Sequence, residues 1–154
     1  MKKIIFILML LLSTVIFANA EDVLGKWITE KAENGNQIVV EIYRTDEGKY
    51  NGKIVKLTMP TYTEGEYIGQ EKMDLKNPDP NLRNRILRGI DFVSGFDYVE
   101  KDDKFENGKI YVPTTGKTYN SYMKLRKDGT LLVKGSIDKA GLIGKKQIWV
   151  RYEK

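Results

Sequence analysis

The residue types best suited to chemistry gather in the segment 74–89, which combines carboxylates, amides, two prolines and three arginines. Carboxylate and amide oxygens are hard ligands of the kind that calcium prefers, but the segment lacks the Asp-x-Asp-x-Asp-Gly loop with a closing Glu. We therefore expect no metal here and interpret the segment as a loop motif with a structural or a functional role. Its key members are Asp74, Asn77, Pro78, Asp79 and Pro80.

Two arginines of the same segment allow two interpretations. Arg83 and Arg85 either pair with Asp74 and Asp79, which would fix the loop on the rest of the domain, or lie at the mouth of a cavity. In the second case a planar guanidinium could bind a carboxylate or phosphate head group through two parallel hydrogen bonds. We favour the structural pairing and keep both arginines as candidate ligand-binding residues.

Tyrosines form a second set of candidates for ligand binding. The chain has nine of them, and Tyr111, Tyr119 and Tyr122 fall in neighbouring predicted strands. A tyrosine inside a small barrel offers apolar area together with a hydroxyl that can orient a ligand. The same side chains could instead only fill the core, and for any single tyrosine that interpretation is the stronger one.

The chain has no His and no Cys among its 154 residues, which removes most nucleophilic catalysis and most transition-metal sites. A paired-carboxylate glycoside hydrolase and a Ser-Lys pair are the schemes that remain. No carboxylate pair stands out, however, and Ser94, Ser121 and Ser136 lie in no recognisable motif. We therefore predict neither an enzyme nor a cofactor.

The N-terminus has the pattern of a secretory signal peptide. Two lysines precede the apolar run 4–17, and residues 18–20 supply the small side chains that a signal peptidase needs. A membrane-spanning helix needs about twenty apolar residues, which this run does not reach. We expect a signal peptide at 1–20, a single domain at 21–154, no membrane span, and a location in the periplasm or outside the cell.

The charge balance is weakly basic, with 26 Lys and Arg against 21 Asp and Glu and a formal net charge of +5. A nucleic-acid surface needs its basic residues clustered on one face. Here Lys and Glu alternate through segments such as 100–109, which is typical of solvated strand faces and turns. We expect no nucleic-acid partner.

Turn signals recur at short intervals along the chain, and the runs between them alternate apolar with polar residues. Such alternation, rich in Val, Ile, Thr and Tyr, indicates strands joined by hairpins. We count roughly eight strands, the number that closes an antiparallel barrel around side chains or one small ligand. A two-sheet sandwich is the alternative. We favour an all-β, up-and-down barrel because hairpins need only connections between neighbours.

The segment 58–89 interrupts this rhythm. It holds three of the four prolines and almost no alternation, so it predicts a long connection of the kind that is either functional or disordered. Asp79 followed by Pro80 is typical of a helix N-cap with proline at the first helical position. We expect one short helix near 80–85.

The two ends of the domain carry a possible closure. Gly25-Lys26-Trp27 opens the first strand, and Trp149-Val150-Arg151 lies in the last one, and these strands are neighbours in an up-and-down barrel. An arginine over an indole contributes about 0.5–2 kcal/mol. A Gly-x-Trp opening with a late Arg across that Trp resembles the lipocalins and their calycin relatives. We predict that Trp27, Trp149 and Arg151 close the barrel.

A longer resemblance covers nearly all of 24–151. The segment 74–89, together with the motifs at 107–113, 116–119, 131–135 and 144–151, is similar to a bacterial exported family, domain of unknown function 2147. The resemblance implies a lipocalin-like barrel in the periplasm or outside the cell, with no established reaction. Ile86, where the family pattern has proline, and the charged stretch 101–106 depart from it.

These observations favour an exported protein that binds a small apolar or amphipathic molecule. The alternative is a module that maintains or interacts with the cell envelope through its outer surface, with a packed core and no ligand. A carboxylate-based hydrolase is third. The sequence predicts neither the identity of a ligand nor the oligomeric state.

Overall fold

A computed structural model describes residues 19–137 and 144–153. Eight antiparallel strands follow one another around a closed barrel, each paired with its neighbours in the chain, and the last strand pairs with the first. The all-β barrel is confirmed, and the sandwich alternative is wrong. The strands are β1 (Gly25–Ile28), β2 (Ile38–Arg44), β3 (Tyr50–Leu57), β4 (Asp91–Val99), β5 (Lys104–Val112), β6 (Lys117–Leu125), β7 (Leu131–Ser136) and β8 (Gly144–Arg151).

The barrel interior follows the predicted alternation. In β6 the inward residues Ser121 and Met123 are buried, and each lies beside an inward residue of β7, where Met123 pairs with Val133. Glycines on the inner face of the barrel leave space for large side chains from neighbouring strands. A side chain at Gly108 would collide with the ring of Phe96, which is itself fully buried. Side chains therefore pack this part of the interior.

Antiparallel connections place the loops at two ends of the barrel. The N-terminal segment and the turns after β2, β4 and β6 lie at one end, which we call the closed end. The connections after β1, β3, β5 and β7 lie at the other, which we call the loop end. The loop end carries the long connection between β3 and β4, and most of the exposed large apolar side chains lie there: Met59, Ile68, Leu82, Ile86 and Ile137.

The long connection is ordered by local pairing and contains the expected short helix, a 3₁₀ turn at Pro80–Leu82 whose N-cap is Asp79. Met73 forms a bridge with Ile86, and the amide of Leu87 donates to the carbonyl of Lys72. The connection thus folds back on itself as a small hairpin. No helix within the described residues is both long and apolar enough to cross a bilayer.

Candidate functional site

A pocket of about 500 Å³ opens on β5, β6 and β7 at the loop end. We call it the rim pocket. Its volume falls in the range of small-molecule sites. The residues that line it are Lys109, Lys117, Thr118, Tyr119, Asn120, Ser136 and Ile137.

Strand register assembles the rim pocket. Asn120 of β6 pairs with Lys109 on one side and with Ser136 on the other, so the three side chains form one row across three strands. The adjacent row contains Gly108, Ser121 and Gly135 and faces the interior, so the Lys109 row faces outward. The ammonium of Lys109 donates to Oδ1 of Asn120. Neighbouring strands therefore position groups that are distant in sequence.

The rim pocket is cationic. Its described lining contains two lysines and no carboxylate, and strands β6, β7 and β8 contain two, one and three basic residues and no acidic one. The alternation of charge along the chain does not reveal this cluster, because its members come together only through strand pairing. Counting charges strand by strand would have found it.

The three candidate tyrosines are not brought together. The pairs Ile110–Tyr119 and Tyr111–Thr118 put Tyr119 and Tyr111 on opposite faces of the sheet. Tyr119 borders the rim pocket. Tyr122 lies on the outer face with the ammonium of Lys104 over its ring, 4.0 Å from the centroid.

A second polar group, which we call the anchor cluster, consists of Asp74, Asn77, Arg85 and Tyr111. The carboxylate of Asp74 is fully buried and accepts hydrogen bonds from the Tyr111 hydroxyl at 2.5 Å and the Asn77 amide at 2.7 Å. Arg85 donates to the same carboxylate through Nε at 3.0 Å and Nη2 at 2.8 Å. A buried charge needs this degree of hydrogen bonding, so the cluster fixes the long connection on β5.

Titration at Tyr111 reflects the same environment. Burial, then the hydrogen bond to the Asp74 carboxylate, raises the pKa of Tyr111 to about 12.

The turn around Asn77 also approaches the β5–β6 hairpin closely. Gly116 has φ +69°, and a side chain there would overlap the carbonyl of Lys76. A glycine is therefore required at this contact.

The other predicted residues of the long connection have local partners. Nε of Arg83 donates to the carbonyl of Asn77 at 2.8 Å, and Asp79 accepts from the amide of Asn81 at 2.9 Å. Pro78 and Pro80 lie on the exposed surface of the same turn. Arg83 and Arg85 therefore make structural contacts, and neither is among the residues that line the rim pocket.

Trp27 and Arg151 meet at the closed end. They are cross-strand partners, and the guanidinium carbon of Arg151 lies 3.9 Å from the centroid of the buried Trp27 ring. Arg151 also donates to the carbonyl oxygens of Asp22 and Leu24, and the indole of Trp27 donates to that of Val23. The N-terminal turn is thereby held across the end of the barrel.

Arg151 and the nearby Gly25 belong to the closed end, whereas Trp149 lies in the interior. Burial lowers the pKa of Arg151, yet arginine stays charged throughout the accessible pH range. Gly25 has φ +101°, and a Cβ there would lie 3.3 Å from Nη1 of Arg151. Trp149 is fully buried and stacks on Phe92 with ring centroids 6.0 Å apart, so it fills the interior.

Barrel topology and the Trp27–Arg151 contact define a lipocalin-like protein. The chain belongs to DUF2147, described as uncharacterized protein conserved in bacteria, whose model matches residues 25–151. Among solved structures it is similar to protein HP1028 from Helicobacter pylori, described as belonging to the lipocalin family, with 29% identity and a TM-score of 0.71 over 84% of this chain and 82% of that one. No curated protein gives a significant match. The predicted family and the predicted lipocalin-like fold are confirmed.

Proposed function

We propose that this protein is an exported small-molecule binding protein and that its ligand binds in the rim pocket. The observation that carries the proposal is the open volume of about 500 Å³ bordered by convergent amine, hydroxyl and amide groups on three strands. Sites of this kind combine a concave surface with a few polar groups that fix the orientation of a ligand. The lipocalin-like fold supports the same function.

The rim pocket suits a partly apolar ligand. The side chain of Ile137 and the methylene stem of Lys117 offer apolar surface, since lysine stems pack on apolar groups while their ammonium stays solvated. Deep binding inside the barrel is less favoured in the described part of the chain. Phe96 occupies the space above Gly108, and Val93 and Val40 occupy the space at Gly52.

Binding is tested by titrating the purified protein with the neutral dye Nile red and by native mass spectrometry of protein taken from its own host. We expect dye fluorescence to rise with saturation. Replacing Thr118, an exposed residue that lines the rim pocket, with tryptophan should fill the volume and weaken binding about tenfold or more, a loss of about 1.4 kcal/mol.

Thr63→Trp is the matched control, because Thr63 is exposed on the long connection and does not line the rim pocket. This variant should bind as the parent does. If the parent protein takes up no dye and carries no co-purifying small molecule, the proposed function is wrong. If both variants bind like the parent, the ligand site lies elsewhere.

Export is a proposal that rests on the signal-peptide pattern at 1–20, most of which lies outside the described residues. Cell fractionation followed by mass spectrometry of the protein's N-terminus tests it. We expect the protein in the periplasm or medium, with Glu21 as its first residue. A cytoplasmic protein that keeps the run 4–17 would contradict export and would leave the binding proposal unaffected.

The packed interior favours a second candidate, a module that acts on the cell envelope through its outer surface. The exposed apolar residues of the loop end, such as Ile68 at 64% exposure, would then contact a partner. Cross-linking in intact cells tests this function. Recovery of a protein or wall polymer that is lost with Ile68→Asp would support it, and recovery of no partner would count against it.

A further inference from the structure

The described lining of the rim pocket carries more positive than negative charge. Its described lining includes Lys109, Lys117 and Thr118, with their ammonium and hydroxyl groups, and no Asp or Glu. Each of these groups can donate a hydrogen bond. The ammonium of Lys109 donates to Asn120 and has two further protons to donate. A ligand that supplies acceptor oxygens and negative charge would complement this lining.

The strands in and next to the rim pocket are also rich in basic residues. Strands β6, β7 and β8 hold six basic residues, in groups of two, one and three, and no Asp or Glu. Their outward members include Lys124, Lys134 and Lys146, and Lys134 is the cross-strand partner of Lys146. A surface of one sign raises the local concentration of counter-charged ligands and their association rate.

The opposite side of the barrel has balanced charge. Strands β1 to β4 hold four basic and three acidic residues. Lys26 and Lys53 flank Glu41 as its cross-strand partners, and Lys49 forms a 2.6 Å ion pair with Asp97. The excess of basic residues among the described strands is thus found on β6, β7 and β8, the first two of which line the pocket, and the weakly basic composition of the whole chain does not account for it.

We infer that the ligand of the rim pocket is an anionic amphiphile whose carboxylate or phosphate group contacts Lys109 and Lys117 while its apolar part lies against Ile137. This inference rests on the proposed function, because it names the chemical class of the molecule that the same pocket binds. A lysine ammonium binds such oxygens as a compact point charge with three donors.

Calorimetric titration of the full chain with four eight-carbon probes tests the inference. The probes are octyl phosphate, octanoate, octyl glucoside and octyltrimethylammonium, each used below its micelle concentration. We expect both anions to bind at least about tenfold more tightly than the neutral glucoside, since a hydrogen bond to a charged group contributes about 1.5–3 kcal/mol. The cationic probe should bind most weakly. The order of the two anions distinguishes a phosphate from a carboxylate ligand.

The double variant Lys109→Gln/Lys117→Gln should remove the preference for anions, so that both anionic probes bind no more tightly than octyl glucoside. Lys26→Gln/Lys53→Gln is the matched control, because it removes the same charge from the balanced side and should keep the preference. Thermal unfolding of both variants verifies that they fold.

The probes distinguish failure of the anionic ligand class from failure of small-molecule binding itself. Equal affinities for the anionic and neutral probes would overturn the anionic ligand and leave small-molecule binding in place. An anion preference that survives the Lys109 and Lys117 replacements would also overturn the inference. If no probe binds and Nile red is not taken up, the proposed function itself is wrong.

Discussion

The two ends of the barrel are built from opposite chemistry. At the closed end a buried indole lies under Arg151, and backbone carbonyls accept the guanidinium hydrogens. At the loop end the corresponding support is a buried carboxylate, Asp74, which accepts from three side chains. The closed end joins the first and last strands, whereas the anchor cluster joins the long connection to strand β5. Damage to the first should therefore unfold the barrel, and damage to the second should release a loop.

Trp27→Ala should produce the largest effect. The variant leaves a cavity beneath Arg151 and removes the indole hydrogen bond to Val23, and we expect a loss of about 3–5 kcal/mol in the free energy of unfolding. Chemical denaturation monitored by circular dichroism measures it. A loss smaller than about 1 kcal/mol would show that the closed end does not hold the barrel together.

Asp74→Ala should act locally. It leaves the buried Asn77 and the Tyr111 hydroxyl without their acceptor, and breaking a buried pair costs about 3–5 kcal/mol. We expect the free energy of unfolding to fall by an amount near the lower limit of this range, because the side chain of Arg85 is 38% exposed and can be solvated. Hydrogen exchange should show 58–90 opening while β6 and β7 stay protected. Equal loss of protection throughout would remove the distinction between the ends.

Alkaline pH probes both ends through tyrosine. The pKa of Tyr111 at the loop end and that of Tyr98 at the closed end are both raised to about 12, in each case by burial and then by a hydrogen bond to a carboxylate, Asp74 or Asp103. An unfolded tyrosine titrates near pH 10, so the stabilisation is complete below about pH 10 and is lost as the pH rises towards 12.

Tyr111→Phe should therefore reduce the fall in stability between about pH 10 and pH 12, and Tyr98→Phe should do the same. Denaturation midpoints at several pH values, each compared with the parent protein, measure the slope. A slope that is unchanged by Tyr111→Phe would mean that the hydroxyl of this residue does not titrate with folding.

Ser121→Ala should have the smallest effect, with the opposite sign. Ser121 lies in the interior between the two ends, and its hydroxyl is the buried side-chain group without a hydrogen-bond partner in the described part of the chain. Removing an unsatisfied buried hydroxyl should be neutral or stabilising by up to about 1 kcal/mol. A destabilisation above that size would show that the hydroxyl has a partner, such as a buried water.

Much of the molecule could be predicted locally. Alternation of apolar and polar residues between turn signals predicted the strands and hairpins, because sheet faces repeat every two residues. Asp79-Pro80 predicted the 3₁₀ turn for a similar reason, since capping involves residues two positions apart. Pairing of Arg83 and Arg85 with Asp74 and Asp79 was one of two interpretations of the sequence, and of these ion pairs the described contacts include Arg85 with Asp74.

The rim pocket could not be predicted in this way. Its row of Lys109, Asn120 and Ser136 exists only because β5, β6 and β7 have one particular register, and a shift by one residue would turn each side chain to the other face. Strand register also decided the positions of the tyrosines. Tyr111 and Tyr119 were plausible partners in sequence, and the register separated them onto opposite faces.

By itself the sequence determined the strands and the turns, because hydrophobic periodicity and turn geometry act over a few neighbouring residues. Only the tertiary structure decided where the lysines of β5 to β8 meet and which hydroxyls accompany them. Those contacts join residues far apart in the chain, and their alignment depends on the pairing of whole strands around the barrel.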